Sequence, residues 1–186
     1  MLACVLMVGG CALGAKPAPA TFDLAAPRSV PGSGSTSIQF AVTEPTVVGA
    51  LNSERIVVRP APAAITYLSG AQWSDRAPKL VQARLIDTFR NSGRVRSVGM
   101  PGGAVVNDIG LVTDLQDFHI DAQQGIAVVT IAVRIVSDQS GRVIASRTFT
   151  ASTPISGSRA EDMVAALNAS FDKVATDLVV WTLDRI

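Results

Sequence analysis

Apolar residues recur along this chain with two spacings, and the changes from one to the other mark its elements. Between Val81 and Phe89 the apolar positions Val81, Leu85, Ile86 and Phe89 fall on one stripe of a 3.6-residue helix, with Lys79, Arg84, Asp87 and Arg90 elsewhere on its circumference. Leu80 does not fit that stripe. Ser74 or Asp75 is positioned to cap this helix, Pro78 falls inside its first turn, and Asn91, Ser92 and Gly93 end it. A second helical pattern follows Pro154. Ser158 and Glu161 have capping-box spacing, and Ala160, Val164, Leu167, Phe171, Val174, Leu178 and Trp181 then alternate at steps of four and three. This stripe reads first as a face packed on a sheet; a coiled-coil partner is the weaker reading, because flanking charges are sparse.

Elsewhere the period is two. Ile38, Phe40 and Val42 alternate with Gln39, Ala41 and Thr43, Pro45 ends that strand, and Ile56–Val58 and Ala64–Tyr67 read as two more, the latter leading into Trp73. Arg94–Val98 reads as a brief edge strand, and Met100–Gly103 as a loop. Val112–Ile120 slips in phase, Leu115 facing one way and Phe118 and Ile120 the other, which a β-bulge reconciles. Ile126–Val136 is the clearest strand, with Ala127, Val129, Ile131, Val133 and Ile135 on one face; Asp138–Gly141 turns the chain and Val143–Thr150 returns beside it. The pattern predicts a single α+β domain, an antiparallel or mixed sheet packed by two amphipathic helices.

Composition narrows the functions open to such a domain. With 186 residues and 48% hydrophobic content the chain can bury one good core. A formal charge of +1 and 5% aromatics remove the bulk electrostatic and base-stacking cases for nucleic-acid binding. Cys4 and Cys11 both precede the first Pro-rich segment, so the domain itself has no thiol for a disulfide or a multi-cysteine zinc site.

The first residues carry an address. Leu2–Val8 is apolar apart from Cys4, and Val8-Gly9-Gly10-Cys11 fits the bacterial lipobox, which makes Cys11 the expected lipid attachment site and residues 1–10 a signal-peptide remnant. The run is too short to span a bilayer. No Lys or Arg precedes Cys11, so the true start is expected upstream of Met1. Cleavage after Ala15 with a soluble periplasmic product, or a cytoplasmic protein with an apolar tail, are the alternatives. Residues 11–37 are rich in Ala, Pro, Gly and Ser and read as lipid anchor and flexible linker, with Phe22 and Leu24 either docking on the domain or riding along; the domain is then expected over residues 38–186.

Candidate chemistry is sparse. The one histidine, His119, stands between Asp117 and Asp121, three side chains on one side of a strand, which is metal-ligand geometry in outline; the weightier reading is a solvent-facing polar row. No Gly-x-Ser-x-Gly elbow accompanies it, and Gly32-Ser33-Gly34 is too short for a dinucleotide or phosphate-binding loop. No catalytic residue, metal or cofactor is expected. Arg84, Arg90, Arg94 and Arg96 could meet anionic headgroups or an acidic partner, although such a cluster is usually a solvated face. Trp73 and Tyr67 could line an acyl-chain groove, yet a Trp ahead of a helix is more often a core anchor.

Several of these segments together resemble a family. Tyr67, Gly70–Trp73 with Ser74 and Asp75, Ala77-Pro78 and the helix that follows resemble the auxiliary lipoproteins of MCE-type ABC transport systems; Thr21-Phe22-Asp23-Leu24 resembles the family's aromatic-Leu segment and Glu54–Arg59 its second strand. The resemblance implies a non-enzymatic periplasmic docking subunit, whose partners are an MCE protein with its ABC permease and ATPase, the membrane through its lipid, and a neighbouring copy in a possible homo-oligomer. The cargo would be lipids or other hydrophobic molecules moving between the membranes. Ala12, where many such lipoproteins retained in the inner membrane carry Asp, favours the outer membrane by the same resemblance. The alternatives are a stand-alone periplasmic enzyme using His119, and a cell-wall or outer-membrane assembly lipoprotein.

Overall fold

The computed structural model describes residues 17–102 and 107–186. The lipobox Val8–Cys11, Ala12, Ala15 and the end of the Met100–Gly103 loop therefore lie outside the described residues. Nine strands among the described residues join in one mixed sheet, with two helices. In chain order they are β1 (Ala20–Phe22), β2 (Thr36–Val42), β3 (Thr46–Val47), β4 (Arg55–Ala61), β5 (Ala64–Trp73), α1 (Ala77–Asn91), β6 (Val95–Gly99), β7 (Ile109–Asp121), β8 (Ile126–Ser137), β9 (Val143–Pro154) and α2 (Ala160–Leu183). The α+β single domain expected from the patterning is what forms.

Strand β7 is the spine. On one side it carries the antiparallel meander β7-β8-β9. Its other side is shared end to end by three shorter parallel strands: β2 at Ile109–Leu111, β3 at Asp114–Leu115 and β4 at His119–Asp121. Beyond β4 come β5, antiparallel, and β1, parallel to β5; beyond β2 lies β6, an edge strand as expected. The bulge is present. Leu115 pairs with Ile131 and Asp117 with Thr130, so Gln116 is the inserted residue, and through it Leu111, Leu115, Phe118 and Ile120 all reach the core despite their broken alternation.

Both helices lie against the buried face of this sheet. In α1 the buried face is wide enough to take in Leu80 as well as Val81, Leu85, Ile86 and Phe89, which resolves the misfit. Neither Ser74 nor Asp75 caps it. Arg76 is the N-cap, the Ala77 N–H donates to the Ser53 carbonyl (3.1 Å), Ser74 instead donates to Asp23 (3.2 Å) and Asp75 pairs with Lys79 (2.7 Å). The end is as expected, Gly93 taking φ +63° just past Ser92. The cap of α2 sits one residue later than the Ser158–Glu161 spacing suggested: Arg159 is the N-cap and Asp162 closes the box, because Asp162 accepts the Arg159 N–H (3.2 Å) and also holds its guanidinium (3.0 Å). The predicted stripe of α2 is buried from Val164 to Trp181, with Trp181 edge-on to Phe149 of β9 at 5.7 Å.

The fold begins earlier than residue 38. β1 pairs along Ala71–Trp73, and Leu24 is 1% exposed, so the stretch from Ala20 to Val30 is part of the packed domain although its composition reads as linker. Leu24, Pro27 and Val30 are buried, Phe22 packs partly against the core, and polar groups on both helices hold its backbone.

Candidate functional site

The polar groups that hold this segment come from the arginine cluster. Arg84 of α1 donates through Nε to the Leu24 carbonyl (2.5 Å) and through Nη2 to Asp23 (2.6 Å), with Asp87 at 2.9 Å on Nη1. Asn91 donates to the Pro27 carbonyl (2.7 Å), and Asn168 of α2 accepts the Ala25 N–H (2.7 Å). The result is a clasp fastening residues 22–27 to both helices. Arg90 pairs with Asp87 (3.5 Å) and Arg94 with Asp184 (3.5 Å). Three of the four clustered arginines thus have intramolecular work, and the cluster is not one continuous cationic surface.

The two aromatic candidates part ways. Trp73 is a core anchor, stacked on Phe118 with centroids 5.3 Å apart. Tyr67 lies half-buried with the Arg55 guanidinium over its ring at 3.4 Å, a cation–π contact. No groove opens between them, since Trp73 is sealed in the core.

His119 differs from expectation. It shares a sheet face with Asp117 and Asp121, but it is only 6% exposed, enclosed where β7 runs between β4 and β8 with Val57 and Val128 opposite it. Burial pushes its pKa below the ordinary 6.5, and the Arg59 charge pushes the same way; Asp117 and Asp121 oppose them. Its Nδ1 stands 3.5 Å from Asp117 Oδ1, and Arg59 reaches the same oxygen at 3.7 Å. Asp121 is engaged in the turn, its Oδ1 accepting the N–H groups of Gln123 and Gln124 at 2.9 Å. Among the described residues no group of three acidic, His or Cys side chains is arranged to hold a metal ion.

The meander supplies surface for contact. An open depression of about 460 Å³ on the sheet is lined by Thr46, Asp114, Arg134, Ser146 and Thr148, a hydroxyl-rich and charged surface. β9 pairs only with β8, so its outer backbone groups lack a strand partner among the described residues, and Val143 and Ile144 beside its start are both about half exposed. No helix of the described residues is long and apolar enough to cross a membrane.

Comparison with known proteins gives this geometry its context. Residues 21–179, which begin at the clasp and end within α2, match the family described as ABC-type transport auxiliary lipoprotein component. The chain belongs to that family. This auxiliary lipoprotein is 33% identical over 182 residues to an uncharacterized protein of Bradyrhizobium diazoefficiens, a match covering 95% of this chain and 47% of that protein, so the chain spans about half the length of the curated relative it matches. It is similar to the crystal structure of XCC0632 from Xanthomonas campestris, a DUF330 protein, with a TM-score of 0.81 and 27% identity over 89% of this chain and 95% of the other. A second crystal structure, of an uncharacterized protein, shares the fold with a TM-score of 0.71 at 12% identity, covering 89% of this chain and 99% of the other. The family match begins at Thr21 and so takes in the Thr21–Leu24 segment of this chain.

Proposed function

We propose that this auxiliary lipoprotein is the lipid-anchored periplasmic docking subunit of an MCE-type ABC transport system that moves lipids or other hydrophobic molecules between the inner and outer membranes. It acts without catalysis. Cys11, following Val8-Gly9-Gly10, carries the lipid on the outer membrane; residues 12–19 are the tether and the domain starts with β1. More than one acyl chain makes such an anchor durable, each buried CH₂ contributing about 0.8 kcal/mol. The free edge of β9 and the helix-free face of the meander are the surfaces for the MCE protein or for a neighbouring copy.

The observation that carries this reading is the family match over residues 21–179, joined to a lipobox ending nine residues before the first strand. The sealing of His119 supports the non-enzymatic part, since a side chain 6% exposed is poorly placed to meet a substrate. Metabolic labelling with a fatty acid, in cells making the full-length protein, tests the anchor. Label on the wild type and none on Cys11→Ser is expected; an unlabelled wild type refutes the anchor and with it the membrane location.

A further inference from the structure

Two features that the docking reading leaves unused, the Gly32-Ser33-Gly34 stretch and Arg94, are brought together by the fold. Arg94 stands between α1 and β6, and its side chain is only 11% exposed. A guanidinium stays charged at any physiological pH and offers five N–H donors. Those of Arg94 are poorly used: Nε reaches the Gly34 carbonyl at 3.3 Å, Nη2 reaches Asp184 at 3.5 Å, and buried Nη1 has no partner among the described residues. Buried donors left unpaired are costly, and more so when charged.

The loop around this guanidinium is shaped for close approach. Gly32 has φ +127° and Gly34 φ +82°, conformations that side chains disfavour, and a Cβ on Gly32 would overlap the Arg94 head. Next to it lies a polar cavity of about 140 Å³, lined by Ser33, Gly34, Ser35, Thr36, Arg94 and Leu183 among others. It has room for several water-sized groups, a water taking about 30 Å³. A more open depression of about 420 Å³ shares Ser35, Thr36 and Arg94 with it and is bordered by Arg96. Arg94, the hydroxyls of Ser33, Ser35 and Thr36 and the Gly34 backbone therefore line the cavity together with Leu183 and Ile186, and Arg96 adds a second positive charge at the outer depression.

We infer that this cavity is a phosphate-binding site, in which Arg94 is the charged fork and the Ser33–Thr36 hydroxyls meet the remaining oxygens. Guanidinium donors from one side and hydroxyl donors from another suit a tetrahedral oxyanion. Asp184 occupies one corner of the guanidinium through a long contact that a phosphate oxygen would replace with a shorter one. The phosphate comes either from free inorganic phosphate or from a lipid headgroup. The inference does not depend on Cys11 or on the transport partner.

The test is an NMR titration of the full chain with inorganic phosphate against chloride at matched ionic strength, following the Gly32–Thr36 amides and the Arg94 side-chain N–H signal. Saturable shifts with phosphate alone are expected. Arg94→Lys should weaken the response about tenfold or more, because a lysine loses the fork while keeping the charge. Asp184→Asn should strengthen it several-fold by removing the competing carboxylate, and it keeps the question answerable where Arg94→Lys folds poorly. Shifts indistinguishable from those with chloride, or an Asp184→Asn protein no more responsive than wild type, overturn the site. Co-sedimentation with phosphatidylglycerol vesicles separates the two sources: Arg94-dependent vesicle binding assigns the headgroup, and phosphate shifts without vesicle binding assign the free ion.

Discussion

The meander β7-β8-β9 and the clasp of residues 20–30 belong to the same domain and are held in opposite ways. The meander is self-consistent: its strands alternate, β8 sends Ala127 to Ile135 into the core on one face, and α2 covers that face with a continuous apolar stripe. The clasp has a three-residue strand, one fully buried leucine, and a set of hydrogen bonds and ion pairs from Arg84, Asn91 and Asn168. One is specified by a local pattern repeated many times. The other is specified by a few residues that meet only after the chain has folded. A segment held in the second way is expected to open locally while the meander stays folded.

The comparison can be broken most severely from the meander side. Inserting one residue between Asp117 and Phe118 turns Phe118 and Ile120 outward if the pairing of Ile109–Asp117 is kept. Each exposed side chain forfeits about 1.5–3 kcal/mol. Loss of the cooperative unfolding transition is expected, measured by chemical denaturation; an insertion variant as stable as wild type would show that the alternation past the bulge does not decide which side chains the core takes.

A smaller effect is expected at the clasp. Arg84→Ala removes the bonds to Leu24 and Asp23, and should cost about 1–3 kcal/mol, the range for a hydrogen bond to a charged group, reduced by partial exposure. Hydrogen exchange at the amides of β1 should accelerate while protection in β8 and α2 stays put. Equal acceleration throughout would mean that clasp and meander open as one unit.

The smallest effect is a pH dependence that sharpens the contrast. His119 is held neutral in the meander with its pKa below 6.5, so the unfolded chain takes up the proton first as pH falls. Stability is full above about pH 6.5 and is lost progressively below it, down to the depressed folded value. His119→Gln removes that part of the slope. Melting temperatures of the two proteins between pH 7.5 and the acid limb, about two units lower, should diverge only below the ordinary histidine range. Identical profiles would mean that His119 titrates alike in both states.

Much of this contrast was legible in the residues. β8, β9 and α2 could be traced because period two and period 3.6 persist over many positions, and the phase slip in Val112–Ile120 pointed to a bulge that the pairing places at Gln116. β5 runs on to Trp73, past where the alternation fades at Tyr67, because Gly70 at φ +70° lets the strand continue through a break in pattern. β1 and β3 have three and two residues, too few to show a period, and they exist only through their neighbours β5 and β7. Caps shifted by a residue where Asp162 found Arg159, a contest between adjacent side chains that spacing alone does not decide. The burial of His119 was hidden for a related reason: alternation puts it on the face away from the helices, and only the flanking β4 and β8 with Arg59 enclose it.

The docking claim is tested most directly by affinity purification of the full-length protein from gently solubilised membranes, with mass spectrometry of what accompanies it. The account predicts that an MCE-domain protein and its ABC permease or ATPase co-purify, and that His119→Ala leaves their recovery unchanged. Recovery of the intact auxiliary lipoprotein with neither partner, under conditions that keep a membrane complex together, would contradict it.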